Sequence, residues 1–199
     1  RNNGTFELGT AEGGRKIFLM GMNYLSECMD SREALNTYYL KTIHHEFTHI
    51  LHQTVEFSTA YQFITTDYKV DKCFNSEFAD FLSRGFITDY AQKNYHEDFA
   101  EMVSTYVTST ADEWEALLKK ASYAPVKDKD GNLVYDSNGL VVADTKTKAN
   151  GRDLIEQKLS IVRSYMQDQW GIDIDELRAS ILQRENDVVN GKVDLKNLD

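Results

Sequence analysis

The stretch Ile43-His44-His45-Glu46-Phe47-Thr48-His49-Ile50-Leu51-His52-Gln53 holds a His-Glu-x-x-His pattern, His45 to His49. Residues four apart on an α-helix share a face, about 6 Å apart. Two imidazoles so placed can converge on one Zn²⁺ at about 2.0–2.1 Å each. Glu46 lies about 100° round the helix from His45, where it can reach a metal-bound water without becoming a ligand. Zinc lowers the pKa of such a water to about 7, and a carboxylate can take its proton as the water attacks a carbonyl. Chance would place the pattern in about one chain in a hundred of this histidine and glutamate content. The alternative is a histidine-rich surface turn. Ile43, Phe47, Ile50 and Leu51 argue against it, because they make the helix largely buried. Buried polar groups need partners, and a metal supplies one.

Working outward, Asp30-Ser31-Arg32-Glu33 has capping-box spacing and predicts a helix over 32–57, with Leu35, Tyr39, Phe47, Ile50 and Leu51 among its apolar positions. Upstream, Lys16-Ile17-Phe18-Leu19-Met20 between Gly14 and Gly21 reads as a strand. Residues 1–14, glycine-rich and poor in apolar side chains, read as a loose lead-in. Downstream, Asn75 or Ser76 can cap a short helix ending near Gly85, and Asn94 with Glu97 opens another to about Thr108. Ser109 or Thr110 can start a helix over 112–121. After Pro125, the turn pairs Asp130-Gly131 and Asn138-Gly139 flank short apolar runs and predict a hairpin excursion over 125–150. Helices are expected over 153–170 and 174–189. The pattern fits one α+β domain over 1–199: a small sheet including residues 15–20 packed on the motif helix, and a mostly helical C-terminal half.

A catalytic zinc takes three protein ligands and keeps one position open. The candidates for the third ligand lie in His96-Glu97-Asp98-Phe99-Ala100-Glu101. Glu97 and Glu101 are four apart on the next substantial helix. One can bind the metal while the other accepts the N–H of a ligand histidine. The plainer readings are a capping-box glutamate for Glu97 and a solvated helix face for Glu101. His52 lies about 10 Å along the axis from His45, too far to join the same tetrahedron. His44 points about 100° away, and both read as structural or as support for the ligands.

Composition bounds the function. The 199 residues are 41% hydrophobic and 27% charged, ordinary for a globular protein. A net charge of −10, from 22 basic and 32 acidic residues, disfavours binding to a nucleic-acid backbone. No apolar run approaches the roughly 20 residues of a membrane span. There is no Gly-rich phosphate loop and no Gly-x-Ser-x-Gly elbow. Cys28 and Cys73 can form one disulfide in an oxidising compartment or stay as two thiols. Asp128-Lys129-Asp130-Gly131-Asn132 has the look of a calcium loop but lacks the acidic twelfth position, so a hairpin turn is the better reading.

Three strings, 43–53, Gly85-Phe86-Ile87-Thr88-Asp89-Tyr90-Ala91 and Glu97-Asp98-Phe99-Ala100-Glu101, resemble the zinc-binding metallopeptidases of Bacteroidetes, also called substrate import-associated zinc metallohydrolase lipoproteins. Lys158-Leu159 to Tyr165 and Trp170-Gly171-Ile172-Asp173 to Leu177-Arg178 look like that family's C-terminal helical pair, and 125–150 looks like an insertion. The site is also similar, more distantly, to those of anthrax lethal factor and the Pro-Pro endopeptidases. The resemblance implies a zincin-like, gluzincin-type fold and a Zn²⁺ held by His45, His49 and Glu97. It also implies Glu46 as general base, Glu101 orienting a ligand histidine, and Tyr90, seven residues before Glu97, stabilising the oxyanion, with Tyr95 as its rival. It further implies a peptide or protein substrate and a lipid anchor upstream of Arg1. The location would be the cell envelope at the outer membrane, periplasmic or surface-exposed, beside nutrient-importer components. Two other readings remain: a non-catalytic zinc-containing importer accessory, and a metallohydrolase acting on a non-peptide amide or ester.

Overall fold

The computed structural model describes residues 8–72 and 74–193. It is α+β and mostly helical, with two small antiparallel sheets of two strands each. Strand β1 (Gly9–Glu12) pairs with β2 (Lys16–Leu19), from Gly9 opposite Leu19 to Glu12 opposite Lys16. The lead-in expected through residue 14 is therefore a hairpin arm from residue 9 onward.

A short helix α1 (Leu25–Cys28) precedes α2 (Arg32–Leu35), which Ser31, not Asp30, caps by accepting from Ala34 N at 3.2 Å. The chain then runs through a π turn, Asn36–Leu40, directly into α3 (Lys41–Thr54), which carries the motif. The helix stops three residues short of the expected end, and Phe57 enters the core from the segment beyond it. Phe47 is a correction. It is 44% exposed, and the buried side chains of α3 are His45, Glu46, Thr48, Leu51 and His52. The buried stripe of this helix is largely polar, which is why its apolar residues misled the periodicity. The β1–β2 hairpin packs across α3, with Gly14 N donating to Gln53 Oε1 at 2.8 Å.

Between residues 55 and 94 the described residues make single 3₁₀ turns in place of the expected short helix; Asn75 caps Ser76–Phe78, and Phe81–Arg84 ends at Gly85, whose φ of 85 favours glycine. Asn94 caps α4 (Tyr95–Thr108) as expected, accepting from His96 N and Glu97 N at 3.0 Å each. Helix α4 is the central helix: every residue from Asp98 to Thr108 is buried. It packs on α3 most extensively, and on α6 (Gly151–Trp170) and α7 (Ile174–Val189) behind. Ahead of these, α5 (Ala111–Ala121) starts at a reciprocal Thr110–Glu113 capping box.

Strands β3 (Tyr123–Pro125) and β4 (Ala143–Lys148) form the base of the 125–150 hairpin, extended by bridges Lys127–Leu133 and Tyr135–Val141. Asp128 Oδ1 accepts from its own turn at Asp130 N and Asn132 N, both 2.9 Å, so that carboxylate closes a turn. The main core joins Phe57, Tyr61, Phe86, Phe99, Met102, Ile155 and Val162 around α4, with Phe57 and Phe99 stacked at 3.9 Å. Cys28 is half-buried and forms no disulfide among the described residues, and its pairing with Cys73 lies outside them. No helix of the described residues is long and apolar enough to cross a membrane.

Candidate metal centre

The capped first turn of α4 brings Glu97 against the histidine face of α3. His45 Nε2, His49 Nε2 and Glu97 Oε2 form a triangle: 3.0 Å between the two nitrogens, and 3.2 and 3.1 Å from them to the oxygen. Ligands of a tetrahedral zinc at about 2.0–2.1 Å stand about 3.3–3.4 Å apart, so these atoms need move only by tenths of an ångström. Two neutral imidazoles and one carboxylate also form a donor set suited to a catalytic zinc. The residues fit the metal. Among the described residues this group has three members, with no fourth protein ligand.

Both histidines are held from behind. His45 Nδ1 stands 2.8 Å from Glu101 Oε1, off the line of a well-aligned hydrogen bond but close enough for an ion pair. Lys41 Nζ lies 3.1 Å from the other Glu101 oxygen. Glu101 is 7% exposed, not a solvated face. Burial alone would raise its pKa, but Lys41 and His45 hold it well below the usual carboxylate range. His49 Nδ1 meets His52 Nε2 at 2.7 Å. Burial lowers the pKa of His52 to about 3, so its ring is neutral and can accept the His49 N–H.

His52, Glu56 and His96 form a second group close enough to suggest a metal. The rings argue against one. His52 and His96 are stacked, 6° from parallel at 4.7 Å. Imidazole lone pairs lie in the ring plane, so no single point is in line with a lone pair of each.

Tyr90, in the 3₁₀ turn Tyr90–Gln92, points its hydroxyl at Glu97 Oε1, 3.2 Å away, and its ring centre lies 6.0 Å from that of His45. Burial raises its pKa to about 12, so it carries its proton. Tyr95 packs instead against Phe57 and His96. Glu46 is buried on α3 outside the triangle, under β1. A Cβ on Gly9 would come 2.8 Å from Glu46 Cγ and 2.9 Å from Thr42 Cγ2. Gly9→Ala is thus expected to displace Glu46 or Thr42 from its place under β1. A crystal structure of the variant checks this.

A family model described as "putative zinc-binding metallo-peptidase" matches residues 1–175. The chain belongs to that family. A crystal structure of a "putative zinc-binding metallo-peptidase" from Bacteroides caccae ATCC 43185 superposes with a TM-score of 0.71 at 32% identity. The match covers 98% of this chain and 64% of that one, so this chain spans about two thirds of its relative's length. Among curated proteins nothing matches.

For this family member the ion pairs at His45 carry a pH prediction. Burial alone would lower the His45 pKa, but Glu101 and Glu97 raise it to about 9 in the metal-free protein. Zinc needs the unprotonated nitrogen. Below pH 9 it must displace a proton, so affinity should rise about tenfold per pH unit between pH 7 and 9 and then level off. Calorimetry in buffers of different ionisation enthalpy should show about one proton released per zinc at pH 7.5; no release contradicts the assignment.

Sequence reading missed Gly9, which lay in the supposed lead-in, and Lys93. A signal for Lys93 existed: it stands three residues after Tyr90 and four before Glu97, the spacing of helical neighbours.

Proposed function

We propose that the chain is a zinc-dependent peptidase of zincin type, in which α3 and α4 present the metal to an extended peptide. The observation that carries this reading is the His45–His49–Glu97 triangle, which converges on one point and leaves a position open. A closed structural zinc would want a fourth protein ligand.

Zinc, when bound, supplies Lewis-acid polarisation and an acidified water. The remaining roles fall to the chain. Glu46 accepts the proton of the attacking water and later delivers it to the leaving amine. Tyr90 donates its O–H to the developing oxyanion. Glu101 and His52 orient His45 and His49 so that each turns Nε2 inward. The family resemblance supports a peptide substrate, a lipid anchor outside this sequence, and a place at the outer membrane beside nutrient-importer components.

The test is a peptide-library cleavage assay with zinc quantification. Zinc-dependent cleavage that Glu46→Gln abolishes supports the proposal. Hydrolysis of glycan-linked amides or esters with no peptide cleaved would transfer the same chemistry to a non-peptide substrate. Zinc without any hydrolysis would favour the accessory reading.

A further inference from the structure

Lys93 touches the site at two points that the proposed reaction leaves unexplained. Its Nζ lies 2.8 Å from the Tyr90 hydroxyl oxygen and 3.0 Å from Glu97 Oε1. An ammonium has three donors and no acceptor. The Tyr90 oxygen must therefore accept from Lys93, which leaves its own hydrogen to point elsewhere. In this structure that hydrogen is given to Glu97 Oε1, at 3.2 Å. Oε1 is thus engaged by two donors, while Oε2 alone faces the two histidine nitrogens. Lys93 is 36% exposed at the side chain, so its charge sits at the lip of the site, and Asn94 follows it directly as the cap of α4.

We propose that Lys93 is a positioning residue that pins Glu97 to a single metal-facing oxygen and, by donating to both Glu97 Oε1 and the Tyr90 oxygen, lets the Tyr90 O–H swing from Glu97 to the developing oxyanion. The inference rests on the reading of Tyr90 as oxyanion donor. A carboxylate held at Oε1 by a cation offers the metal one ligand atom, which preserves the open position that water and substrate need. A hydroxyl that accepts from an ammonium is polarised and becomes a stronger donor to developing negative charge.

The experiment compares Lys93→Met, Lys93→Arg, Tyr90→Phe and the double Lys93→Met/Tyr90→Phe with the wild type on a cleaved peptide. Lys93→Met should lower kcat by about 10²-fold, the scale of losing one oxyanion donor, with KM changed by less than about threefold. Lys93→Arg should recover most of that loss. The double variant should be slower than either single but far less slow than their product, because Lys93 acts partly through Tyr90 and partly through Glu97. Unchanged kcat in Lys93→Met beside a slow Tyr90→Phe overturns the inference and leaves Tyr90 in its role. Losses that multiply in the double variant overturn it as well. A fully active Tyr90→Phe overturns the reading of Tyr90 itself.

Cobalt-substituted protein gives a readout without substrate. Freeing Oε1 of both donors in the Lys93→Met/Tyr90→Phe double variant should let the carboxylate chelate, raise the coordination number and weaken the visible absorption of the cobalt, with Lys93→Met alone moving the spectrum part of the way. An unchanged spectrum overturns the claim about Glu97.

Discussion

Glu46→Gln is expected to lower kcat/KM by about 10²- to 10⁴-fold while the protein still binds one zinc, the range over which a positioned general base contributes. The substitution is nearly isosteric, so the close approach of Gly9 to this side chain survives. Glu46 is 7% exposed and stands outside the metal triangle. Removing its charge leaves His45, His49 and Glu97 in place. Kinetics on a cleaved peptide with metal analysis of the same sample checks both halves. Parallel loss of zinc and activity would place Glu46 among the ligands, and full activity would remove it from the reaction.

Lys158→Met is expected to destabilise the fold by about 3–5 kcal/mol, the cost of leaving one member of a buried ion pair uncompensated. Lys158 and Asp98 are both fully buried, with Nζ 2.6 Å from Asp98 Oδ2. Nζ also donates to Gly85 O at 2.7 Å, and Tyr68 OH donates to the same Asp98 oxygen at 3.0 Å. Burial pushes the Asp98 carboxyl up and the Lys158 ammonium down, and each opposes the shift of the other. The pair ties α6 and the Gly85 turn to the residue beside Glu97, so it fixes the rotation of α4 and with it the aim of the Glu97 carboxylate. Urea denaturation of Lys158→Met measures the loss. Adding Asp98→Asn to Lys158→Met should recover part of it, because the orphaned charge is then gone. A loss below about 1 kcal/mol would mean that the pair contributes little.

The residues that meet at the centre were legible where local rules govern them. The i,i+4 spacing put His45 and His49 on one face, the Asn94 cap set the start of α4, and Ser109 or Thr110 marked the start of α5, where the structure selects Thr110. Reading failed where tertiary contact overrides pattern. Phe47 looks like a core residue, yet the buried face of α3 is spent on His45, Glu46, Thr48 and His52. Gly9 looks like linker glycine, yet its missing side chain is what admits Glu46. Lys158 sits in a stripe with Ile155, Leu159 and Val162 and is as buried as they are, because its partner Asp98 lies 60 residues away on α4. No local periodicity announces such a partner.

The measurement that bears most directly on the central claim is zinc stoichiometry at neutral pH in the wild type and in His49→Ala. The triangle of His45, His49 and Glu97 predicts about one zinc per wild-type chain and a large loss of affinity when one ligand is removed. A wild-type protein that purifies without zinc and takes up none on addition would contradict it.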